Sequence, residues 1–168
     1  VGKKELKNRL SSFWGGDGDV LEAWKYEMVS GRNIRKQDLD SNARVAVVGY
    51  DIKEELFPYS DPVGQIIKID NIPFEVIGLL GAKGEMLGQS MDSMIGIPIT
   101  SFLQYFRGRS FYGDGLQLIL ESESMDELDA ATDEAIGAFR AIRKIPPGAE
   151  NNFYIATNDQ LMDTFGDF

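Results

Sequence analysis

Apolar and β-branched runs in the middle of the chain predict buried strands. Residues 44–49 form such a run and predict one strand. Residues 94–98 predict another, which ends at Pro98 because proline cannot donate to a ladder. Between them, residues 51–57 predict a short helix with Asp51 as its N-cap.

A hairpin follows that helix. Residues 65–70 and 73–80 predict two strands joined across Asp70-Asn71, where asparagine tolerates the positive φ that tight turns need. The stretch Asp61–Gly64 reads Asp-Pro-Val-Gly and predicts a turn, since proline fixes φ and glycine allows φ > 0. The middle of the chain is therefore rich in strands.

Apolar residues at helical spacing predict helices before and after the strand-rich middle of the chain. Leu21, Trp24 and Met28 predict a helix over residues 20–29, ended by Gly31. Thr100 or Ser101 is expected to cap a brief helix that ends near Phe106. A longer helix is predicted from Ser124 with a capping box to Glu127. Its apolar stripe consists of Met125, Leu128, Thr132, Ala135, Phe139 and Ile142.

The last third of the chain differs in character from the middle. Residues 116–120 and 153–157 predict strands on either side of the long helix, and such a unit favours a right-handed crossover onto one sheet. The fold class predicted is α+β with two subdomains. The expected division places residues 1–43 and 116–168 in one subdomain and residues 44–115 in an inserted one.

Composition excludes several function classes. The 168 residues carry a formal net charge of −10, which argues against nucleic acid and anionic lipid as partners. The sequence has no cysteine and no histidine, so thiolate chemistry, Ser-His-Asp triads and histidine-based zinc sites are excluded. No stretch approaches the roughly 20 apolar residues of a membrane span. A chain that opens at Val1 is expected of a fragment or of a mature processed protein.

The polar motifs favour structure over catalysis. The loop Gly15–Asp19 suggests calcium, but an EF-hand counted from Asp17 would need Glu where Met28 stands. The glycines at 78, 81, 84 and 88 are not followed by the Gly-Lys-Ser/Thr of a phosphate loop. The acidic residues Glu121, Glu123, Asp126 and Glu127 fall at a helix start, where carboxylates favour the helix dipole. We therefore expect no enzyme activity, metal or cofactor.

The segment from 81 to 93 is rich in glycine and methionine and predicts an exposed loop. Met86, Leu87, Met91 and Met94 lie in or next to it. Mobile methionine-rich surfaces adapt to varied apolar partners, so a contact with a partner or substrate is one interpretation. A local plug of the core is the other.

Seven sequence pieces in order resemble the extracytoplasmic domain of MacB-like (FtsX-like) ABC transporter permeases, over roughly residues 14–165. The family pattern has a Gly-Arg pair with a following Asp, a Val-rich strand, Leu-Phe, a turn, Phe-x-Val-x-Gly, Ile-Pro and an Arg-rich helix tail before an Asn-rich stretch. Here these are Gly31-Arg32 with Asp38, Arg44–Gly49, Leu56-Phe57, Asp61–Gly64, Phe74–Gly78, Ile97-Pro98 and Arg140–Lys144 before Glu150–Ile155.

The resemblance implies a domain between the first two transmembrane helices of a permease, on the periplasmic or extracellular side of the cell membrane. It implies a membrane-proximal porter-like subdomain and an outer, sabre-like mixed subdomain. The implied partners are a second permease subunit and a cytoplasmic ATPase domain or subunit, with a periplasmic adaptor protein as a further candidate. Relatives export macrolides or peptides, release lipoproteins or regulate cell-wall hydrolases. Only 30 residues precede Gly31, fewer than the family usually has, so the porter-like sheet is expected to lack a strand.

Two other functions stay open at this stage. One is a free-standing extracytoplasmic module that binds a ligand or a protein, without any permease. The other is a histidine-free hydrolase that uses carboxylates or a Ser-Lys pair. Apolar spans on both sides of the domain would separate the permease from the free-standing module. In isolation the chain is expected to be a monomer.

Overall fold

A computed structural model describes residues 4–5, 12–86, 89–106, 116–122 and 124–157. The chain divides into two compact units, Val1–Ile119 and Leu120–Phe168, called here the first and the second unit. Within the described residues, no helix has both the length and the apolar character needed to cross a membrane.

The first unit combines short helices with one large sheet. Its strands are β1 (Lys4–Glu5), β2 (Ser12–Gly16), β3 (Met28–Gly31), β4 (Val45–Val48), β5 (Ile66–Ile69), β6 (Ile72–Leu80), β7 (Glu85–Met86), β8 (Gln89–Ser90) and β9 (Met94–Pro98). Its helices are α1 (Asp19–Ala23), α2 (Lys36–Asp40), α3 (Tyr50–Leu56) and α4 (Ile99–Tyr105). The second unit contains a 3₁₀ turn, Met125–Glu127, and α5 (Leu128–Ile142).

Seven strands form a mixed sheet in the order β1-β5-β6-β4-β9-β2, with β3 also paired to β6. The long strand β6 runs antiparallel to β5 through its first half and antiparallel to β3 through its second half. On its other side it runs parallel to β4. A separate two-stranded ribbon is formed by β7 and β8.

Both faces of the sheet are covered. Ala46 and Val48 of β4 pack in one core cluster with residues of α3 and β6, whereas Val45 and Val47 pack in a second cluster with Leu21 of α1. A strand buried on both faces needs apolar residues at every position, which explains the continuous apolar run of β4.

The predicted middle strands and their turns are confirmed. Asp70 and Asn71 have φ of 47° and 67° between β5 and β6, as a tight hairpin with two left-handed residues requires. At the Asp61–Gly64 turn, Asp61 Oδ1 accepts from the Val63 amide at 2.9 Å and Gly64 has φ of 81°. The predicted α+β class is also confirmed, with a mixed sheet at its centre.

The predicted helix over residues 20–29 is wrong in its second half. α1 ends at Ala23, and Met28 begins β3 because residues 28–31 pair with β6. Gly31 is therefore the last residue of a strand and does not end a helix. The predicted loop Gly15–Asp19 is also shorter than expected, since Gly15 and Gly16 complete β2.

The predicted caps of three helices and two strands predicted in the last third of the chain are not found. α4 and α5 begin after Pro98 and Glu127 without a side-chain cap, and α3 begins after Gly49 instead of Asp51. Residues 116–120 and 153–157 have no regular strand structure. Among the described residues, neither segment is paired in a sheet.

The expected division into subdomains stays a prediction. β2 and β3, which come from residues 1–43, lie in the same sheet as strands from residues 44–98.

Candidate functional site: an anchored hairpin

The segment that the sequence marks as an exposed loop contains an ordered hairpin. β7 and β8 pair antiparallel, with Glu85 opposite Ser90, and the Met91 amide donates to the Gly84 carbonyl at 3.0 Å. A ribbon with two residues in each strand is too short to be stable alone. Its order must come from contacts at its base.

The base of the hairpin is held by the carboxylate of Asp92, which is 6% exposed. Its two oxygens accept from the amides of Lys83 at 2.6 Å and Gly84 at 2.9 Å, and so join the two legs of the hairpin. The Asp92 amide donates to Ser90 Oγ at 3.1 Å. A buried carboxylate with several hydrogen bonds is a structural group, since burial without them would cost several kcal/mol.

A second contact joins this base to the start of α3. The Asp51 amide donates to the Asp92 carbonyl oxygen at 3.2 Å, and Ser90 Oγ donates to the Asp51 carboxylate. Gly49 precedes α3, and a Cβ built on it would lie 2.1 Å from the Asp92 carbonyl oxygen. Only glycine allows the backbone to approach so closely.

Tyr26 and Lys83 hold the hairpin from another side. The Tyr26 hydroxyl donates to the Met91 carbonyl oxygen at 2.8 Å. Lys83 Nζ donates to the Trp24 carbonyl oxygen and lies 4.3 Å from the centre of the Tyr26 ring. Burial, and secondarily the charge of Asp92, raise the pKa of Tyr26, so its hydroxyl keeps its proton at neutral pH.

Met94 differs from Met91 among the predicted contact residues by its burial. Met86 lies in β7 and Met91 is half-buried at the end of the hairpin, while Leu87 lies outside the described residues. Met94 is 3% exposed and packs in the second core cluster, as the core-plug interpretation expected. A contact role for Met86, Leu87 and Met91 stays a prediction.

The residues that position the hairpin were not found from the sequence. Tyr26 lies more than 50 residues before Lys83 and Asp92 in the chain, and its contact with the hairpin depends on the fold. The local signal was Gly84, whose φ of 85° marks the point where the first leg turns.

A second polar cluster lies at the Gly-Arg…Asp motif. Arg32 donates to both carboxylate oxygens of Asp38, at 2.7 and 3.0 Å, and the Arg35 amide donates to the same carboxylate at 2.9 Å. The hydrogen bonds from Arg32, helped by the Arg35 amide and both positive charges, hold the pKa of Asp38 below its usual range against the opposing effect of burial. This cluster fixes the start of α2 and leaves no carboxylate oxygen free for catalysis.

The first unit also has an open groove of about 380 Å³, lined by Ser30, Lys53, Pro58, Tyr59, Ser60, Asp61, Pro62 and Leu79. Three of its polar side chains have partners: Lys53 pairs with Glu54, and Asp61 accepts from Ser30 Oγ at 3.3 Å. Among the described residues, no group of three or more acidic side chains is placed to hold a metal ion.

The acidic residues predicted at the start of the long helix do not form a site among the described residues. Glu121, Asp126 and Glu127 are exposed residues of the second unit, and Glu123 lies outside the described residues. Solvated carboxylates of this kind serve solubility and the dipole of the following helix.

Comparison with known proteins gives a family for this fold. The family model of the MacB-like periplasmic core domain matches residues 2–138. The macrolide export ATP-binding/permease protein MacB of Chlorobaculum tepidum is 30% identical over 156 residues, which cover 93% of this chain and 24% of that protein. The pyoverdine export ATP-binding/permease protein PvdT of Pseudomonas syringae pv. syringae is 40% identical over 94 residues, or 54% of this chain and 14% of that protein.

This chain thus spans a quarter or less of the length of these two relatives. Among solved structures, the periplasmic region of MacB from Actinobacillus actinomycetemcomitans has a TM-score of 0.64 at 16% identity, over 92% of this chain and 64% of that chain. The extracellular domain of the transporter YknZ from Gram-positive bacteria has a TM-score of 0.58 at 21% identity, over 77% and 63% of the two chains. Both likenesses concern the fold. The sequence relationships carry the assignment: this chain belongs to the MacB-like periplasmic core domain family, the periplasmic part of ABC exporter permeases.

Proposed function

We propose that this domain is a non-catalytic part of an ABC exporter, which couples ATP-driven motion of the transmembrane helices to export or release of a substrate. The family match over residues 2–138 carries this proposal. The proposed substrate is of the antibiotic, peptide or lipoprotein class. The name of one relative, a macrolide exporter, supports the antibiotic class, and a second relative is named as a pyoverdine exporter.

The chemistry of the chain supports a non-catalytic role. The sequence contains no histidine and no cysteine, the usual bases and nucleophiles near neutral pH. The two buried carboxylates of the described residues, Asp38 and Asp92, are engaged with Arg32 and with backbone amides. Neither has the poised, solvent-accessible oxygen that a general base needs.

The architecture of the first unit supports transmission of motion. The central strands β4 and β9 are buried along their whole length, and close-packed cores resist compression. A displacement applied at one edge of such a sheet moves the other elements with it. The hairpin formed by β7 and β8 is carried on this sheet through Asp92.

The partners in this proposal are the parent transmembrane helices, a second permease subunit and a cytoplasmic ATPase domain or subunit. A periplasmic adaptor protein is a further candidate for contact with the hairpin around Met86 and Met91. Methionine suits such a contact because its flexible side chain adapts to irregular apolar surfaces. The isolated domain is proposed to be a monomer.

The sequence of the parent gene tests this proposal. We expect an apolar span of about 20 residues shortly before residue 1 and another after residue 168, with a neighbouring or fused ATPase. A signal peptide followed by this domain alone, with a stop codon soon after residue 168, would contradict it. The alternative, a free-standing extracytoplasmic binding module, would then be the better account.

A contact role of the hairpin is tested in the parent exporter. Replacement of Glu85–Ser90 by two glycines should lower coupled export while leaving basal ATP hydrolysis intact, because the ATPase lies elsewhere. Tyr59→Ser provides the matched control, since Tyr59 is 99% exposed outside the hairpin. Equal export by the shortened and the control variants would exclude the hairpin as a contact surface.

A further inference from the structure

The segment Trp24–Glu27, called here the strap, contacts both legs of the hairpin. On the first leg, the Gly81 amide donates to the Glu27 carbonyl at 2.8 Å and Lys83 Nζ donates to the Trp24 carbonyl. On the second leg, the Tyr26 hydroxyl donates to the Met91 carbonyl at 2.8 Å. The strap therefore lies across the base of the hairpin.

The strap is itself fixed to α1. The Lys25 amide donates to the Glu22 carbonyl at 2.8 Å and the Tyr26 amide to the Leu21 carbonyl at 2.9 Å. Lys25 has φ of 54°, so this is the Schellman arrangement of a helix C-terminus with a left-handed residue after the cap. Leu21 is 1% exposed, which anchors α1 in the second core cluster.

We propose that the strap is a latch, which makes the hairpin and α1 move as one body and whose release frees the hairpin while the sheet stays folded. Tyr26 is the central residue of this latch, because it alone of the strap side chains reaches the second leg among the contacts described. The ring of Tyr26 also lies beneath the Lys83 ammonium of the first leg.

The latch differs from the Asp92 contacts in its consequence. The carboxylate of Asp92 joins the two legs to each other and so preserves the shape of the hairpin, while its carbonyl oxygen joins the second leg to the start of α3. The strap joins the legs to α1 and hence to the chain that leaves β2, so it sets the direction of the hairpin. Any role of the latch in binding a partner rests on the proposed function, but the effect of the latch on the hairpin can be measured in the isolated chain.

Amide hydrogen exchange of the 168-residue chain, resolved by NMR, tests the latch. The reporters are the amides of Lys83, Gly84 and Met91, which are hydrogen-bonded within the base. Tyr26→Phe removes one hydrogen bond and keeps the ring, so exchange of these reporters should accelerate roughly fivefold. Amides of β4 and β6 should keep their rates.

Tyr59→Phe is the matched control, since it makes the same chemical change at a side chain that is 99% exposed. Lys83→Met is the second variant, because it removes the bond to Trp24 while it keeps an apolar stem, and it should accelerate the same reporters. Unchanged reporter rates in both variants would overturn the proposal. Equal acceleration in the reporters and in β4 would also overturn it, since Tyr26 would then be a general core residue.

Discussion

The two units are ordered by different kinds of contact. In the first unit, strands distant in sequence pair with one another, and residues such as Phe74 and Ile95 are fully buried between the sheet and its helices. In the second unit, no residue of α5 is buried, and Ile142 is 77% exposed. The first unit has its own core, whereas no residue of α5 in the second unit is fully buried.

The second unit is held by local polar contacts at the end of α5. Arg140 donates to the carbonyl oxygens of Pro146 and Ala149, both at 2.9 Å, and Phe139 lies 5.2 Å from Phe153 between ring centres. Such contacts fix a turn but supply little of the apolar burial that stabilises a domain. We therefore expect the first unit to be much the more stable of the two.

Replacing one phenylalanine by alanine in each unit should give the largest difference between the two units in the loss of unfolding free energy. Phe74→Ala removes a fully buried side chain and should lower the free energy of unfolding of the first unit by about 3–5 kcal/mol. Phe139→Ala, at a half-buried ring, should cost about 1 kcal/mol and affect the second unit alone. Urea unfolding followed by circular dichroism checks both. Equal losses would show that the second unit also has a complete core.

Loss of the ion pair at the start of α2 should cause the next largest decrease in the free energy of unfolding. Asp38→Asn leaves the half-buried Arg32 without its charged partner, and should destabilise the first unit by roughly 2–3 kcal/mol. The control is Asp40→Asn, which breaks an exposed pair with Lys36 and should cost about 0.3–0.5 kcal/mol. Similar values for the two variants would contradict the structural role of Arg32–Asp38.

The Arg32–Asp38 pair also predicts that the stability of the folded chain depends on pH. Because the pKa of Asp38 is lower in the folded chain, its stabilising contribution is complete above the ordinary aspartate value near 4 and is lost as the pH falls through the lowered pKa. Wild type should therefore lose more stability than Asp38→Asn below about pH 4. Parallel pH profiles of the two proteins would contradict this, and urea titrations at several pH values provide the measurement.

Replacing a glycine by alanine should lower the stability of the first unit at one position and raise the stability of the second unit at another. Gly49→Ala places a Cβ 2.1 Å from the Asp92 carbonyl oxygen and should cost about 1–3 kcal/mol. Gly137→Ala meets open space on α5 and should raise the stability of the helix by about 0.5–1 kcal/mol. Thermal unfolding checks the signs, and a stabilising Gly49→Ala would refute the close approach at the hairpin base.

The turn after α5 should show an effect similar in size to that of Gly137→Ala. Arg140→Met removes the hydrogen bonds to Pro146 and Ala149 and retains the aliphatic stem, so it should cost the second unit about 1 kcal/mol. The first unit should be unaffected. Exchange of the Ile145 amide, which donates to the Arg140 carbonyl at 2.9 Å, is a suitable local probe. Slower or unchanged exchange in the variant would contradict the role assigned to Arg140.

The sequence predicted those parts of the fold whose signal is local. The apolar run of β4 and the Asp70-Asn71 turn between β5 and β6 depend on residues next to one another. β3 was missed because Leu21, Trp24 and Met28 happen to lie at helical spacing, and only pairing with β6 makes residues 28–31 a strand. Tertiary pairing overrode a local pattern there.

The candidate site was less predictable than the fold. The methionine-rich segment was found, but its order depends on Asp92 and Tyr26, which act through contacts across the sheet. Met94 was grouped with the methionines of the loop although it begins the predicted strand over residues 94–98, and as the first residue of β9 it lies in the core. Residue type alone does not separate a core methionine from a surface one.

Coupling of this domain to ATP-driven motion is the central claim, and a distance measurement in the parent exporter tests it most directly. The chain has no cysteine, so Glu85→Cys gives a single spin-label site on the hairpin once any cysteines elsewhere in the parent are removed. Pulsed electron resonance between the labels of two subunits would be compared with and without a trapped ATP analogue. The account predicts a shift of the distance distribution between the two states. Identical distributions would contradict it.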